Sequence, residues 1–253
     1  MVSFVARRAG RLVLTVLLIS TLVFFLLRVL PGDPAEVVAG VEASETELDE
    51  IRARLGTDRP VALQYVSWLS DVVQLDFGKS FFSSKPVLGL ILERLPVTIL
   101  LASLAFAFAL AVAVPLGVLS AVRRGSFIDY VGIVYSQLGM AIPGFWLGIL
   151  LLLVFSVKLG LTPLFGSGSL MHFILPALAL GVSRSAVLVR IVRNSTLQEL
   201  DREYVLTAES KGLAERTIRY RHLLRNALLP VITIAGIQLG YMLGGTIIIE
   251  QVF

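Results

Sequence analysis

Five apolar stretches punctuate the chain: Leu12–Leu30, Val97–Val122, Ile128–Val157, Phe173–Val192 and Leu228–Ile249. A helix needs about 20 apolar residues to cross about 30 Å of hydrocarbon, so each stretch predicts a membrane-spanning helix. The third is 30 residues long, about 45 Å of helix at the usual rise, and must tilt or break. Pro143-Gly144 near its middle is the natural break. Between the first two stretches the pattern turns amphipathic. Ser44-Glu45-Thr46-Glu47 reads as a capping box, with Leu48, Ile51 and Leu55 on one face and Gly56 as the stop. Pro60 opens a second short helix whose apolar side is Tyr65, Trp68, Leu69 and Val72. These short helices either pack on the spans or meet the membrane surface, a partner or a ligand. The organisation expected is 1–30 for the N-terminus and first span, 31–94 for an extracytoplasmic segment with short helices, and 95–253 for a core of four further spans.

Composition excludes the soluble classes. Hydrophobic residues make up 56% and charged residues 16% of the 253 positions, and mean hydropathy is +0.86. Such a chain cannot cover a water-exposed surface with polar groups, nor remain disordered. The expected fold class is an all-α integral membrane protein. Arg7, Arg8 and Arg11 precede the first span, but Leu30-Pro31-Gly32-Asp33 lacks a small-x-small cleavage pattern, so the span is read as retained.

Charge asymmetry orients the spans. Three basic residues and no acid precede the first span, Arg123 and Arg124 follow the second, and seven basic residues lie in 193–227. The 31–94 segment holds six basic and eleven acidic residues, and the loop after the third span holds only Lys158. The positive-inside rule then places the N-terminus in the cytoplasm and residues 31–94 outside.

Catalytic chemistry has little support. There is no cysteine, no HExxH and no GxSxG, and His172 and His222 lie far apart, so no metal site is expected. Gly78-Lys79-Ser80 resembles the end of a phosphate loop, but Val73 stands where its first glycine should be. Charges at membrane depth point to function by default. Arg190 can snorkel, as can Arg28, whereas Arg184 lies deeper and is either a structural partner or a pathway lining. Gly236, Gly240 and Gly244, and likewise Gly144 and Gly148, recur every four residues, a spacing that serves close helix packing. Gln137, Gln238 and Tyr241 place polar atoms near these glycines, so a pore lining is the alternative. Residues 193–230 predict a short helix ending at Lys211 with Gly212 as its left-handed cap, then a second basic helix, then Pro230 in the first turn of the last span. This loop is either a docking surface or a basic face on anionic headgroups.

The segment Glu203–Pro230 resembles the "EAA" loop of ABC importer permeases of the dipeptide, oligopeptide and nickel family. Leu26–Pro34, Pro115-Leu116-Gly117 with Arg123–Ser126, and Ile142–Gly148 agree with it in order and spacing, so the likeness covers essentially the whole chain. Leu206 stands where the general pattern has its first acidic residue, as is usual in the peptide branch. The resemblance implies a type I ABC importer transmembrane domain, the subunit with the long outer segment, in a bacterial or archaeal cell (inner) membrane. It implies a translocation pathway for a solute, most often di- or oligopeptides. The alternative class is an ATP-independent channel or secondary transporter. Implied partners are a homologous second permease, two cytoplasmic ATPases that bind ATP and Mg, an extracytoplasmic solute-binding protein and the bilayer; no nucleic acid and no cofactor in this chain are implied. The residues implied for ATPase coupling are Glu203, Tyr204, Thr207, Ala208, Lys211, Gly212, Leu213, Asn226 and Pro230. Small Thr207 and Ala208 would let the helix sit deep in an ATPase groove. Candidate pathway residues are Gln137, Pro143, Trp146, Arg184, Gln238 and Tyr241. The family pattern also has a sixth span, and five are expected within the 253 residues read here.

Overall fold

The computed structural model describes residues 2–29, 32–40, 43–80, 83–166 and 168–253. Leu30 and Pro31, the end of the first predicted span and part of the Leu26–Pro34 motif, lie outside the described residues. The chain divides into two compact units, Met1–Arg94 and Leu95–Phe253.

In the first unit, α1 (Val2–Val29) begins ten residues before the predicted span, because the Arg7–Arg11 segment continues the helix. Helices α2 (Pro34–Ala39), α3 (Glu45–Leu55) and α4 (Val61–Val73) follow. The capping box at Ser44 and Glu47 is present, and Gly56 closes α3 with φ +67°. The predicted apolar face of α4 packs on α1: Phe24 lies against the rings of Tyr65 and Trp68, and Thr21 Oγ1 shares a 2.8 Å hydrogen bond with Tyr65 Oη. Arg28 stands over the Phe24 ring and donates from Nε to Gln64 Oε1 at 2.8 Å, so it is held by α4 rather than by headgroups alone. Asp33 caps α2 through the Ala35 N–H (2.9 Å) and accepts from Arg52 Nε of α3 (2.5 Å).

The second unit comprises the rest of α5 (Val87–Val122), then α6 (Phe127–Ala141), α7 (Gly144–Leu151, continued by a π-helical stretch to Lys158), α8 (Met171–Leu200), α9 (Glu203–Ser210), α10 (Glu215–Thr217) and α11 (Leu224–Val252). Among the described residues α1, α5, α8 and α11 are long and apolar enough to cross a membrane, and α6 with α7 makes a fifth if that pair is one span. The pair bends by 99° at Ile142-Pro143, the predicted break. Pro143 has no N–H to continue the ladder and disfavours helical backbone at Ile142, which is extended at ψ 121°.

Helix α8 is the hub, packed against α6, α7 and α11. Lipid offers no hydrophobic drive between helices, so close backbone approach decides these contacts. The tightest approaches fall at glycines outside the predicted rhythm. A Cβ on Gly181 would come within 2.6 Å of the Phe108 ring, on Gly139 within 2.5 Å of Ala186 Cβ, and on Gly117 within 2.7 Å of Val192. Gly148 packs on Phe253 and Ala179, as expected of a packing glycine. Gly236, Gly240 and Gly244 have nothing within 4 Å and face away from the other described helices, which corrects their reading as packing sites within the chain.

Two boundaries also differ. Helix α8 runs to Leu200 instead of ending near Val192, since Ser195 and Thr196 are buried beside α11 and Ser195 Oγ donates to the Ala227 carbonyl at 2.7 Å. The second basic helix and the last span are continuous: α10 passes through a π-helical stretch (Ile218–Leu223) into α11, and Pro230 lies inside α11 rather than at its first turn. Pro230 leaves the Asn226 carbonyl without its ladder donor, and lateral support such as the Ser195 bond next to that position lets the helix pass through the proline.

Candidate functional site

The loop between α8 and α11 is built around a small apolar cluster. Val205, Ala208 and Ile218 are buried together, with Tyr204 packed against them. Helix α9 ends in a Schellman closure: the Gly212 N–H bonds the Glu209 carbonyl (2.8 Å) and the Leu213 N–H bonds the Ala208 carbonyl (3.2 Å), with Gly212 at φ +71°. That conformation is why a glycine follows Lys211. Tyr204 Oη donates to Glu199 Oε2 at 2.7 Å and also bonds Asn226, so one phenol ties α9 to the end of α8 and the start of α11. Burial holds the Tyr204 hydroxyl above its ordinary pKa, which keeps it a donor.

Of the residues singled out in the sequence, Tyr204, Ala208 and Asn226 therefore face the loop's own interior or its supports. Ala208, 8% exposed, is not free to enter a groove on another protein, because helical spacing sets it beside Val205 toward Ile218. Glu203, Thr207, Lys211, Gly212 and Leu213 are exposed, and so is Leu206 at 61%. Asn226 and Pro230 are exposed on α11.

One supporting contact went unrecognised in the sequence. Asp129, 4% exposed at the start of α6, accepts from Arg193 of α8 at both ends of the guanidinium, Nε to Oδ1 at 2.6 Å and Nη2 to Oδ2 at 2.9 Å. The Gly125 N–H adds a third bond at 2.9 Å. This buried fork pins the α5–α6 turn to α8 six residues before Glu199. The available signal was a lone acid and a lone base at corresponding ends of two spans, three residues after the Ser126 cap.

The candidate pathway residues separate into two groups. Arg184, Gln238 and Tyr241 come together: Arg184 Nη1 donates to Gln238 Oε1 at 3.3 Å, and the guanidinium carbon lies 5.8 Å from the Tyr241 ring centroid. Gln137, Pro143 and Trp146 are exposed and add no hydrogen bond to this cluster among the described residues. A separate cavity of about 410 Å³ lies between α6, α7 and α8, with Val134, Leu138, Ile142 and Val182 in its wall. Its lining is almost wholly apolar, and Arg184 is not part of it.

Comparison with known proteins agrees with this arrangement. Residues 113–253 match the family described as binding-protein-dependent transport system inner membrane component, and residues 1–102 match the N-terminal component of such membrane proteins. The chain is similar over all its 253 residues, at 39% identity, to the glutathione transport system permease protein GsiC of Escherichia coli (strain K12), covering 83% of that protein. It is 38% identical over the same extent to GsiC of Salmonella choleraesuis (strain SC-B67), again covering 83%. With apolar spans around a central α8, an exposed helix–glycine element and family matches over both units, the chain belongs to the inner membrane components of binding-protein-dependent transport systems, as an ABC importer permease of the dipeptide and oligopeptide family.

Proposed function

We propose that this permease lines the pathway of an ATP-driven importer of small peptides, glutathione among them, with a homologous second permease, two ATPases and a solute-binding protein as partners. The N-terminus and the α8–α11 loop are cytoplasmic in this reading, and residues 31–94 face the binding protein. The ATPases supply ATP hydrolysis; this chain transmits the movement. The observation that carries the reading is α9, an exposed helix closed at Gly212 and tied through Tyr204 to α8 and α11. A load on α9 therefore reaches α8 and α11 directly. Its outward residues, Leu206, Thr207, Ser210 and Leu213, form the ATPase face, while Tyr204, Ala208 and Asn226 hold the helix from behind. ATP moves the pathway only by favouring one arrangement of this frame over another.

Gly212 tests the reading. Nothing lies within 4 Å of a Cβ at this position, so a substitution acts through its positive φ alone. A β-branched residue in that conformation is strained by about 1–2 kcal/mol, while asparagine tolerates it. In reconstituted importer, Gly212→Val is expected to lower uptake per ATP hydrolysed several-fold, and Gly212→Asn to keep it near wild type. Equal, undiminished uptake in both variants would remove α9 from coupling.

A further inference from the structure

The geometry points to Arg184 as a carboxylate-binding station at membrane depth, where the pathway holds an acidic group of the substrate. The inference rests on the importer reading above and names the chemistry of the site within it.

Arginine keeps its charge in proteins and offers five N–H donors. Arg184 lies nine positions before Arg193 on α8, about 14 Å further along the helix. Its partners among the described residues are weak and neutral: the long Nη1 bond to Gln238 and the face of Tyr241. Its Nε is buried with no acceptor. The carboxylates of the same unit that the structure engages are committed elsewhere. Asp129 takes Arg193, Glu199 takes Tyr204, and Glu250 accepts from Thr98 Oγ1 at 2.9 Å. A cation held this way inside a membrane protein is costly unless an anion reaches it.

The surroundings leave room for that anion. Tyr241, whose ring the guanidinium approaches, is 62% exposed, so the site opens on that side. A carboxylate there would meet the guanidinium at its two Nη groups, in the planar fork that suits Arg, while Nε stays enclosed. Gln238, 7% exposed, holds the guanidinium from the other side, as a positioning residue. Every peptide with a free C-terminus carries this group. The same chemistry could come instead from an acidic side chain of the second permease, and the experiment separates the two sources.

The complete importer, with binding protein, both permeases and ATPases, is placed in proteoliposomes loaded with ATP. Uptake of glutathione, trialanine and trialanine amide is measured for wild type, Arg184→Lys and Arg184→Gln, together with ATPase activity stimulated by loaded binding protein and the subunit composition by intact mass. The expected result is a loss of about tenfold or more in uptake of the acids by Arg184→Gln. The wild-type preference for trialanine over its amide falls by a similar factor, Arg184→Lys stays within a few-fold of wild type, and stimulated ATPase activity persists in all three. Unchanged acid-to-amide preference in Arg184→Gln would overturn the assignment. Loss of the second permease from the Arg184→Gln complex, with acid and amide falling together, would overturn it in favour of a subunit counter-ion. Wild-type vesicles that import none of the three probes would overturn the peptide-class reading and this site with it.

Discussion

At the residue scale, two buried or half-buried carboxylates have separate structural duties. Asp33 is held below the usual carboxylate range, first by the Ala35 N–H and then by Arg52. A depressed folded value means the contact stabilises α2 and α3 above the unfolded pKa and is lost as pH falls through the folded one. Backbone amides of α2, Ala35 first, are therefore expected to lose hydrogen-exchange protection below about pH 4, and Asp33→Asn is expected to lose it at neutral pH; protection that ignores both changes would contradict the role given to Asp33. Asp129 works differently, as half of a buried fork. Asp129→Asn leaves Arg193 charged and unpaired, and is expected to destabilise the purified protein by about 3–5 kcal/mol. Asp129→Asn with Arg193→Gln should recover part of that loss in thermal melts, and additive losses would mean the pair does not act as a unit. The backbone closure of α9 was legible in advance: Lys211-Gly212 reads as a helix end from sequence alone. The Asp129–Arg193 pair was not, because its partners lie 64 positions apart and the local cap at Ser126 accounts for Asp129 without naming Arg193.

At the element scale, hydropathy located the four long apolar helices among the described residues and the bent α6–α7 pair, and Pro143-Gly144 marked the break, since both follow from local pattern. It misplaced the ends of α1 and α8. A hydropathy window registers neither the intrahelical contact that Arg7 makes with the Ser3 carbonyl nor the lateral partners of Arg193 and Ser195 in α8. Glycine spacing misled in the same way. The four-residue rhythm of Gly236, Gly240 and Gly244 looks like a packing seam, yet the tightest approaches are at Gly117, Gly132, Gly139 and Gly181, which are spread over α5, α6 and α8 and share no four-residue rhythm. Gly181→Ala drives a methyl into Phe108 and the Ala105 carbonyl, neither of which can retreat without moving α5. It is expected to cost about 1–3 kcal/mol, read as a lower melting temperature in detergent, whereas Gly240→Ala should leave the isolated subunit's melting unchanged. Equal effects at the two positions would contradict the seam drawn here.

At the scale of the whole molecule, the second unit forms a frame in which α8 joins three sites in line: Arg184 at depth, Arg193 with its Asp129 anchor, and Glu199 beneath α9. One uninterrupted helix thus links Arg184, the proposed pathway cation, to the exposed α9, the proposed docking helix. That continuity gives physical content to coupling, because a helix packed on three sides moves as a rod. That the loop carries a short helix closed at Gly212 could be read from its sequence. Its outward face could not, since helical spacing alone does not say which side of a short helix meets its own chain; burial of Val205 and Ala208 against Ile218 decides it.

The most direct test exploits the absence of cysteine from these 253 residues. Single cysteines at Leu206 and at Ala208 are treated with a short thiol-to-amine crosslinker in membranes carrying the assembled importer, and crosslinked ATPase is identified by mass. The account predicts efficient ATPase capture from Leu206→Cys and little from Ala208→Cys, with capture at Leu206 changing when a non-hydrolysable ATP analogue is added. Capture from Ala208→Cys as strong as from Leu206→Cys, or none from Leu206→Cys, would contradict the assignment of α9 and its outward face as the ATPase contact.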